Sequence, residues 1–309
     1  MRSMLFVLAA AFAPLSVFVL GLSGFSQGPA GVQRPAPAAQ SPAARLGLPQ
    51  ASPAASVSQA VGAATIAIDY HRPAVRGRAI WGELVPYGQV WRAGANEATT
   101  IRFSDAVHVA GRDVPAGTYA FFAIPGEKTW TLVLNKQADQ WGAFRYDAAA
   151  DVLRFEVEPR AIAPVEWLRY EIEPRGEDSA AVSLAWEKLA VEFTVSVDND
   201  KILLARIDDA IAHARPDDAA VFLTSARYYL DHGLAPEKAL GWVDRSIAIS
   251  DGWQARECRA RLCDKLGRKE EALAAVERAI AIAQDPARGK ARPTTLEALE
   301  RLRTELRSR

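Results

Sequence analysis

The chain has 309 residues, half of them hydrophobic, which is enough for about two ordinary domains. Its 37 Lys plus Arg balance 37 Asp plus Glu, so it lacks the basic excess that holds proteins to nucleic-acid phosphates, and no nucleic-acid partner is expected. Two cysteines cannot build a disulfide framework or a four-thiolate zinc site, and 24% charged with 8% aromatic residues excludes disorder throughout.

Arg2 precedes an uncharged stretch over residues 4–26 that is rich in Leu, Phe and Val. Two readings stand: residues 1–26 are a secretory signal, cleaved after the small pair Gly24 and Ser26, or a retained anchor of roughly the 20 residues that span a bilayer. Both place the rest outside the cytoplasm, periplasmic or secreted, with a membrane as partner only if the leader stays as an inner-membrane anchor. Residues 27–63 then change to Ala, Pro, Ser, Gly and Gln, with Arg34 and Arg45 the only charges. Pro29, Pro35, Pro37, Pro42, Pro49 and Pro53 break helices and ladders, so this segment is expected to be a disordered linker.

Residues 64–197 alternate with period two. Leu153, Phe155 and Val157 oppose Arg154, Glu156 and Glu158, and Leu189, Val191, Phe193, Val195 and Val197 repeat the pattern. Trp130, Leu132 and Leu134 follow a Pro125-Gly126 turn that closes a hairpin on residues 119–124. Further strands are expected at 65–70, 99–103, 107–109, 167–172 and 181–186. Short strands separated by turns, without intervening helices, argue for an antiparallel β-sandwich or jelly roll. Most of its tryptophans (Trp81, Trp91, Trp130, Trp141, Trp167, Trp186) are expected as core or wall.

From residue 198 to 309 the period becomes helical. Ile202, Leu203, Ile207 and Ile211 form a first stripe, and further helices are expected near 217–232, 236–249, 253–266, 268–283 and from Thr294 onward. Ala226 and Gly233 recur 34 positions later as Ala260 and Gly267, and Ala239, Ile247 and Ile249 recur 33 later as Ala272, Ile280 and Ile282. A helix pair repeating at this period resembles the tetratricopeptide repeat. The fold class expected is therefore α+β multidomain, a sandwich followed by a tetratricopeptide-like helical domain. Cys258 and Cys263 share one helix with Cα atoms roughly 8–9 Å apart, too far for a disulfide; they are expected as core residues or free thiols.

The polar residues concentrate between the first strand and Phe103, where His71, Arg72, Arg76, Arg78, Glu83, Arg92, Asn96 and Glu97 mingle with Tyr70, Trp81, Tyr87 and Trp91. Here Arg72-Pro73, Arg76-Gly77-Arg78, the run WGELVPYG from Trp81 and the run WRAGANEAT from Trp91 resemble the signature of a bacterial family catalogued as domain of unknown function 2911. The segments from Pro115 to Tyr119, Ile124 to Glu127 and Asp139 to Gly142 extend the resemblance over about 64–197. Members often carry a helical C-terminal part, and their first signature commonly has serine before Arg-Pro, where this chain has His71. The resemblance implies an exported β-domain and supplies no activity.

Arginine forks recognise carboxylate or phosphate, and Trp and Tyr offer apolar faces to sugars or peptide side chains. Arg72, Arg78, Trp81, Tyr87, Trp91, Arg92, Asn96 and Glu97 are accordingly the candidate ligand-binding residues. The ligand expected is a glycan, a cell-wall fragment or a peptide, and the helical repeats would take a protein partner. The competing structural expectation has Arg72, Arg78 and Arg92 paired with Glu83 and Glu97 and no cleft open. No zinc-protease helix, phosphate loop, serine elbow or Cys-x-x-Cys is present, and His71, His108, His213 and His232 have no metal-ligand spacing. No metal or cofactor is expected. The leading expectation is a non-catalytic binding or scaffolding protein; the alternative is an envelope carbohydrate hydrolase using Glu83 and Glu97 as acid and base.

Overall fold

In a computed structural model, residues 46, 48–288 and 291–308 are described; the expected leader and most of the Ala/Pro-rich segment lie outside them. Ten strands come first: β1 (Ala54–Val61), β2 (Ala64–His71), β3 (Thr100–Phe103), β4 (Val107–Val109), β5 (Arg112–Val114), β6 (Gly117–Ile124), β7 (Trp130–Asn135), β8 (Asp151–Val157), β9 (Arg160–Pro174) and β10 (Ser179–Ser196). Six helices follow: α1 (Asn199–Ala212), α2 (Ala219–Asp231), α3 (Pro236–Ile249), α4 (Trp253–Lys265), α5 (Lys269–Gln284) and α6 (Pro293–Ser308). The molecule is thus α+β, with two antiparallel sheets followed by helices.

One sheet has six strands in the order β1-β2-β3-β6-β7-β8, and the other has four in the order β5-β4-β10-β9. Their inward residues form one shared core: Ile66, Ile68, Ile101, Phe121 and Leu132 from the first meet Val109, Leu168, Val182, Leu184 and Val195 from the second. The period-two pattern fixes which face is inward, because a slip of one residue would turn every apolar side chain to water. Leu153 and Phe155 on β8 are buried while Arg154 and Glu156 are exposed.

Two sequence expectations are corrected here, and one strand is added. The disordered linker expected over residues 27–63 is overturned at its C-terminal end, because Ala54–Val61 forms edge strand β1 in full register with β2, from Ala54 opposite His71 to Val61 opposite Ala64. Its small and polar residues are only half-buried at an edge, which is why their composition reads as linker. The segments expected at 181–186 and 189–197 are one long strand, β10, kinked where Glu187 adopts φ 56° and the register to β9 shifts. The three-residue strand β5 was not anticipated at all.

The helices pack as sequential neighbours, α2 on α3 and α4 on α5, with α2 also touching α4. The recurring alanines lie in the core between the helices: Ala226, Ala239, Ala260 and Ala272 are all 0% exposed. Gly233 and Gly267 follow α2 and α4 with φ of 67° and 71°, where a left-handed residue lets the next amide reach back. Leu234 N donates to Tyr229 O at 2.8 Å, and Arg268 N donates to Cys263 O at 2.8 Å. Cys258 and Cys263 are free and buried in α4, and burial pushes the Cys258 thiol up to about 12. Among the described residues, no helix is long and apolar enough to cross a membrane.

Candidate functional site: an arginine and tryptophan cleft

The WRAGANEAT segment forms a closed loop between β2 and β3. Trp91 exchanges both backbone hydrogen bonds with Ala123 on β6, at 2.7 and 2.9 Å. The loop then reverses through Ala93 (φ 49°) and Asn96 (φ 57°), both left-handed. Gly94 lies between them, where a Cβ would stand 2.7 Å from Thr99 Oγ1 and 3.2 Å from the His71 carbonyl, so no larger residue fits without movement. Three donors converge on its carbonyls: Trp91 Nε1 on Gly94 O (3.1 Å), and Thr99 Oγ1 (3.1 Å) and the buried Tyr170 hydroxyl (2.7 Å) on Ala93 O.

The Asp139–Gly142 stretch, some 40 residues on in the chain, closes against the same loop. Ala98 N donates to Gln140 O at 3.0 Å and Gly142 N to Asn96 O at 3.0 Å, with Glu97 bridged to Trp141. Two segments of the sequence signature therefore form one unit. Asn96 also ties down the chain leading into β1, donating from Nδ2 to Gln50 Oε1 (2.8 Å) and Ser52 O (3.2 Å).

Behind the loop, four indoles pack together. Trp81 lies 4.7 Å from Trp130, 5.7 Å from Trp91 and 5.8 Å from Trp186 between ring centroids, and Trp91 stacks on Trp186 at 5.9 Å with 19° between planes. Trp91 Nε1 is bonded, but among the described residues the Nε1 atoms of Trp81, Trp130 and Trp186 are buried without a hydrogen-bond partner. In front of them opens a cleft of about 550 Å³, lined by Arg78, Leu84, Trp91, Arg92, Phe144 and Trp186 among others. Phe144, from the β7–β8 connection, is 82% exposed at its rim.

The candidate arginines differ in their partners. Arg72 Nε donates to Leu168 O at 2.8 Å, while Arg78 donates to Val75 O at 3.1 Å and Ala74 O at 2.6 Å. Both pin the 72–78 segment, and neither meets a carboxylate among the described residues. Arg92 has no hydrogen-bond acceptor there: its Nε is buried and unpartnered, and its Nη1 lies 2.9 Å from where a Cβ on Gly142 would stand. Burial lowers its pKa from the ordinary guanidinium value. The pairing of these arginines with Glu83 and Glu97, one of the two expectations, is not the arrangement found.

Glu97 faces His71 instead, with Oε2 3.4 Å from Nδ1, an ion-pair distance without hydrogen-bond alignment, so that this oxygen is buried and unbonded. Burial lowers the His71 pKa, Glu97 opposes that, and Arg92 reinforces it. Glu83 is exposed, and neither it nor Glu97 lines the cleft. Tyr87 is exposed too, its ring against Gly82. Of the eight binding candidates, Arg78, Trp91, Arg92 and Asn96 line the cleft; Trp81 lies behind it, and Arg72, Tyr87 and Glu97 sit to its sides. Sequence reading missed Phe144, and left Trp186 among core residues; for Phe144 the only signal was the neighbouring Trp141-Gly142.

A second hollow, of about 590 Å³, lies between β4, β5 and α1. Its Arg206 is neutralised by Asp105 at 2.7 Å and its His108 faces Asp113 at 2.7 Å, and Asp198 and Asp209 stand with Lys201 in its lining, whereas the cleft's lining has arginines and no carboxylate. Among the described residues no group of three or more His, Cys, Asp or Glu is placed to hold a metal ion.

Among curated proteins no sequence matches the chain. Residues 52–195 match the model of the family described as "Protein of unknown function (DUF2911)", a span that opens just before β1 and ends within β10, so it is the two-sheet module and its Trp/Arg loop that this family describes.

Proposed function

We propose that this is an exported, non-catalytic binding protein. In this reading the two-sheet module is a β-sandwich whose Arg92 cleft takes a polar ligand, a glycan, cell-wall fragment or peptide. The helices are a tetratricopeptide-like array that takes a protein partner. The shared core of the two sheets supports the first part. The 34-residue recurrence of buried alanines and left-handed glycines at successive helix pairs supports the second. Export rests on the apolar leader over residues 4–26.

The observation that carries the ligand reading is Arg92. A guanidinium with a buried, unbonded Nε costs about 1–3 kcal/mol or more relative to a satisfied one. Arg92 is only part-buried and lines the open aromatic cleft, so the exposed part of its side chain is placed to meet an acceptor that a ligand brings. The test is calorimetric titration of the chain against glycan and peptide libraries, repeated with Arg92→Ala. Loss of charge-assisted hydrogen bonds of about 1.5–3 kcal/mol should weaken cleft binding by roughly tenfold or more. Peptide binding that survives Arg92→Ala belongs to the helices. Silence of the unaltered chain across both libraries refutes the proposal.

A further inference from the structure

The charges around the cleft restrict its ligand further than the aromatic walls do, granted the reading of the cleft as a ligand site. Its lining includes two charged residues, Arg78 and Arg92, and no carboxylate, in a chain whose formal net charge is zero. Among the described residues the Arg78 guanidinium is bonded only to the carbonyls of Val75 and Ala74, which leave its charge uncompensated, and the Arg92 guanidinium has no bonded acceptor. Glu97, which shares the surroundings of His71 with Arg92, faces His71.

The hydrogen-bonding capacity left over points the same way. Arg and indole nitrogens donate and never accept. Among the described residues Arg92 Nε is buried without an acceptor, and the part-exposed Arg92 side chain lines the cleft. The Asn96 amide nitrogen, a further donor of the lining, is already spent on Gln50 and Ser52. A sugar hydroxyl could place its proton on Ser52, Gln89 or Asn96 Oδ1, but a neutral sugar leaves both guanidinium charges of the lining uncompensated. An oxyanion brings acceptors alone and relieves the repulsion between two like charges in one low-dielectric hollow. Around these groups stand Leu84, Val85, Val90, Trp91 and Phe144, which suit an apolar or planar body attached to the anion.

We infer that the cleft selects a small oxyanion-bearing ligand, carboxylate or phosphate, with its charged head at Arg92 and its apolar flank against Trp91 and Phe144. The experiment is calorimetry on the full chain with matched probes: N-acetylphenylalanine against its amide, phenyl phosphate against phenol, and a neutral oligosaccharide such as cellotriose. The free acid or the phosphate should bind at least tenfold more tightly than its uncharged counterpart, and which of the two wins identifies the head group. Binding should weaken with added salt and fall at least tenfold in Arg92→Gln, with Arg92→Lys recovering part of it. Arg78→Gln, whose residue also ties backbone, serves as a second variant if Arg92→Gln does not fold, which tryptophan fluorescence reports. Equal binding of acid and amide, or preference for the neutral sugar, overturns the inference while leaving a ligand site standing. If the probes and the libraries above all fail to bind, both the inference and the binding reading fall. Anion binding that Arg92→Gln and Arg78→Gln leave unchanged also overturns it, since the anion then sits elsewhere.

Discussion

Arg92, His71 and Glu97 form a small polar triangle inside an otherwise apolar wall, and each bears a different consequence of burial. Burial disfavours the charged form of the two bases, which lowers both pKa values, and for His71 the Arg92 charge adds to that while Glu97 resists it. A histidine whose pKa is lowered on folding is bound by fewer protons in the native state than in the unfolded one. Its contribution to stability is therefore full above its ordinary value of 6.5 and is lost as pH falls through the lowered native value. Urea denaturation of the native chain should show the midpoint declining between pH 7 and pH 5. In His71→Ser, which restores the residue common at this place in the resembling family, the decline should be shallower. Parallel declines in both proteins would remove His71 as the titrating group. Glu97 has a positioning part in this, because it holds His71 from the far side and its own backbone is bridged to Trp141.

At the scale of elements, local rules and long-range contacts divide the work. Gly267 ends α4 at φ 71° with open space around the position a Cβ would take, so the only penalty for a side chain there is the left-handed backbone itself. Gly267→Ala should therefore cost about 1–2 kcal/mol, read as a lowered urea midpoint with no loss of helix content at neutral pH. Such features are legible in the sequence because they are local: the glycine follows a helical stripe, and the recurrence 34 positions apart marks both helix ends. Strands with clean alternation, such as β8 and the second half of β10, are legible for the same reason. β1 is not, because an edge strand needs little apolar bulk and its Ala, Ser and Gln resemble linker. The site divides likewise. Arg92, Trp91 and Asn96 stand in one compact motif and can be singled out from it. Trp130 and Trp186 reach them only because β7 and β10, from different sheets, face one core, and no local pattern encodes which inward residues meet across that gap. Phe144 arrives from an irregular connection that carries no periodicity to read.

At the scale of the whole molecule, α1 joins the sheets to the helices. Ile202, in its first turn, belongs to the core of the sheets, whereas Leu204 and Ile207 pack against the core of the helices. The joint is fastened at the β1–β2 turn: Asn199 Oδ1 accepts from Ala63 N at 2.7 Å, and Arg206 donates to Ala63 O at 2.9 Å and to Asp105 Oδ2 at 2.7 Å. Gly62 allows this closeness, since it sits at φ 52° and a Cβ on it would collide with the Asn199 side-chain amide. Gly62→Ala should thus combine a left-handed backbone penalty of about 1–2 kcal/mol with loss of a hydrogen bond worth about 1 kcal/mol. The collision has a test that separates it from general backbone strain. Asn199→Ala removes the obstructing amide, so in the double variant the new Cβ has room and only the backbone penalty remains. Urea unfolding of the two single variants and the double should then show the double less destabilised than the two singles taken together. Strict additivity would mean that the Gly62 turn and the Asn199 side chain do not press on each other.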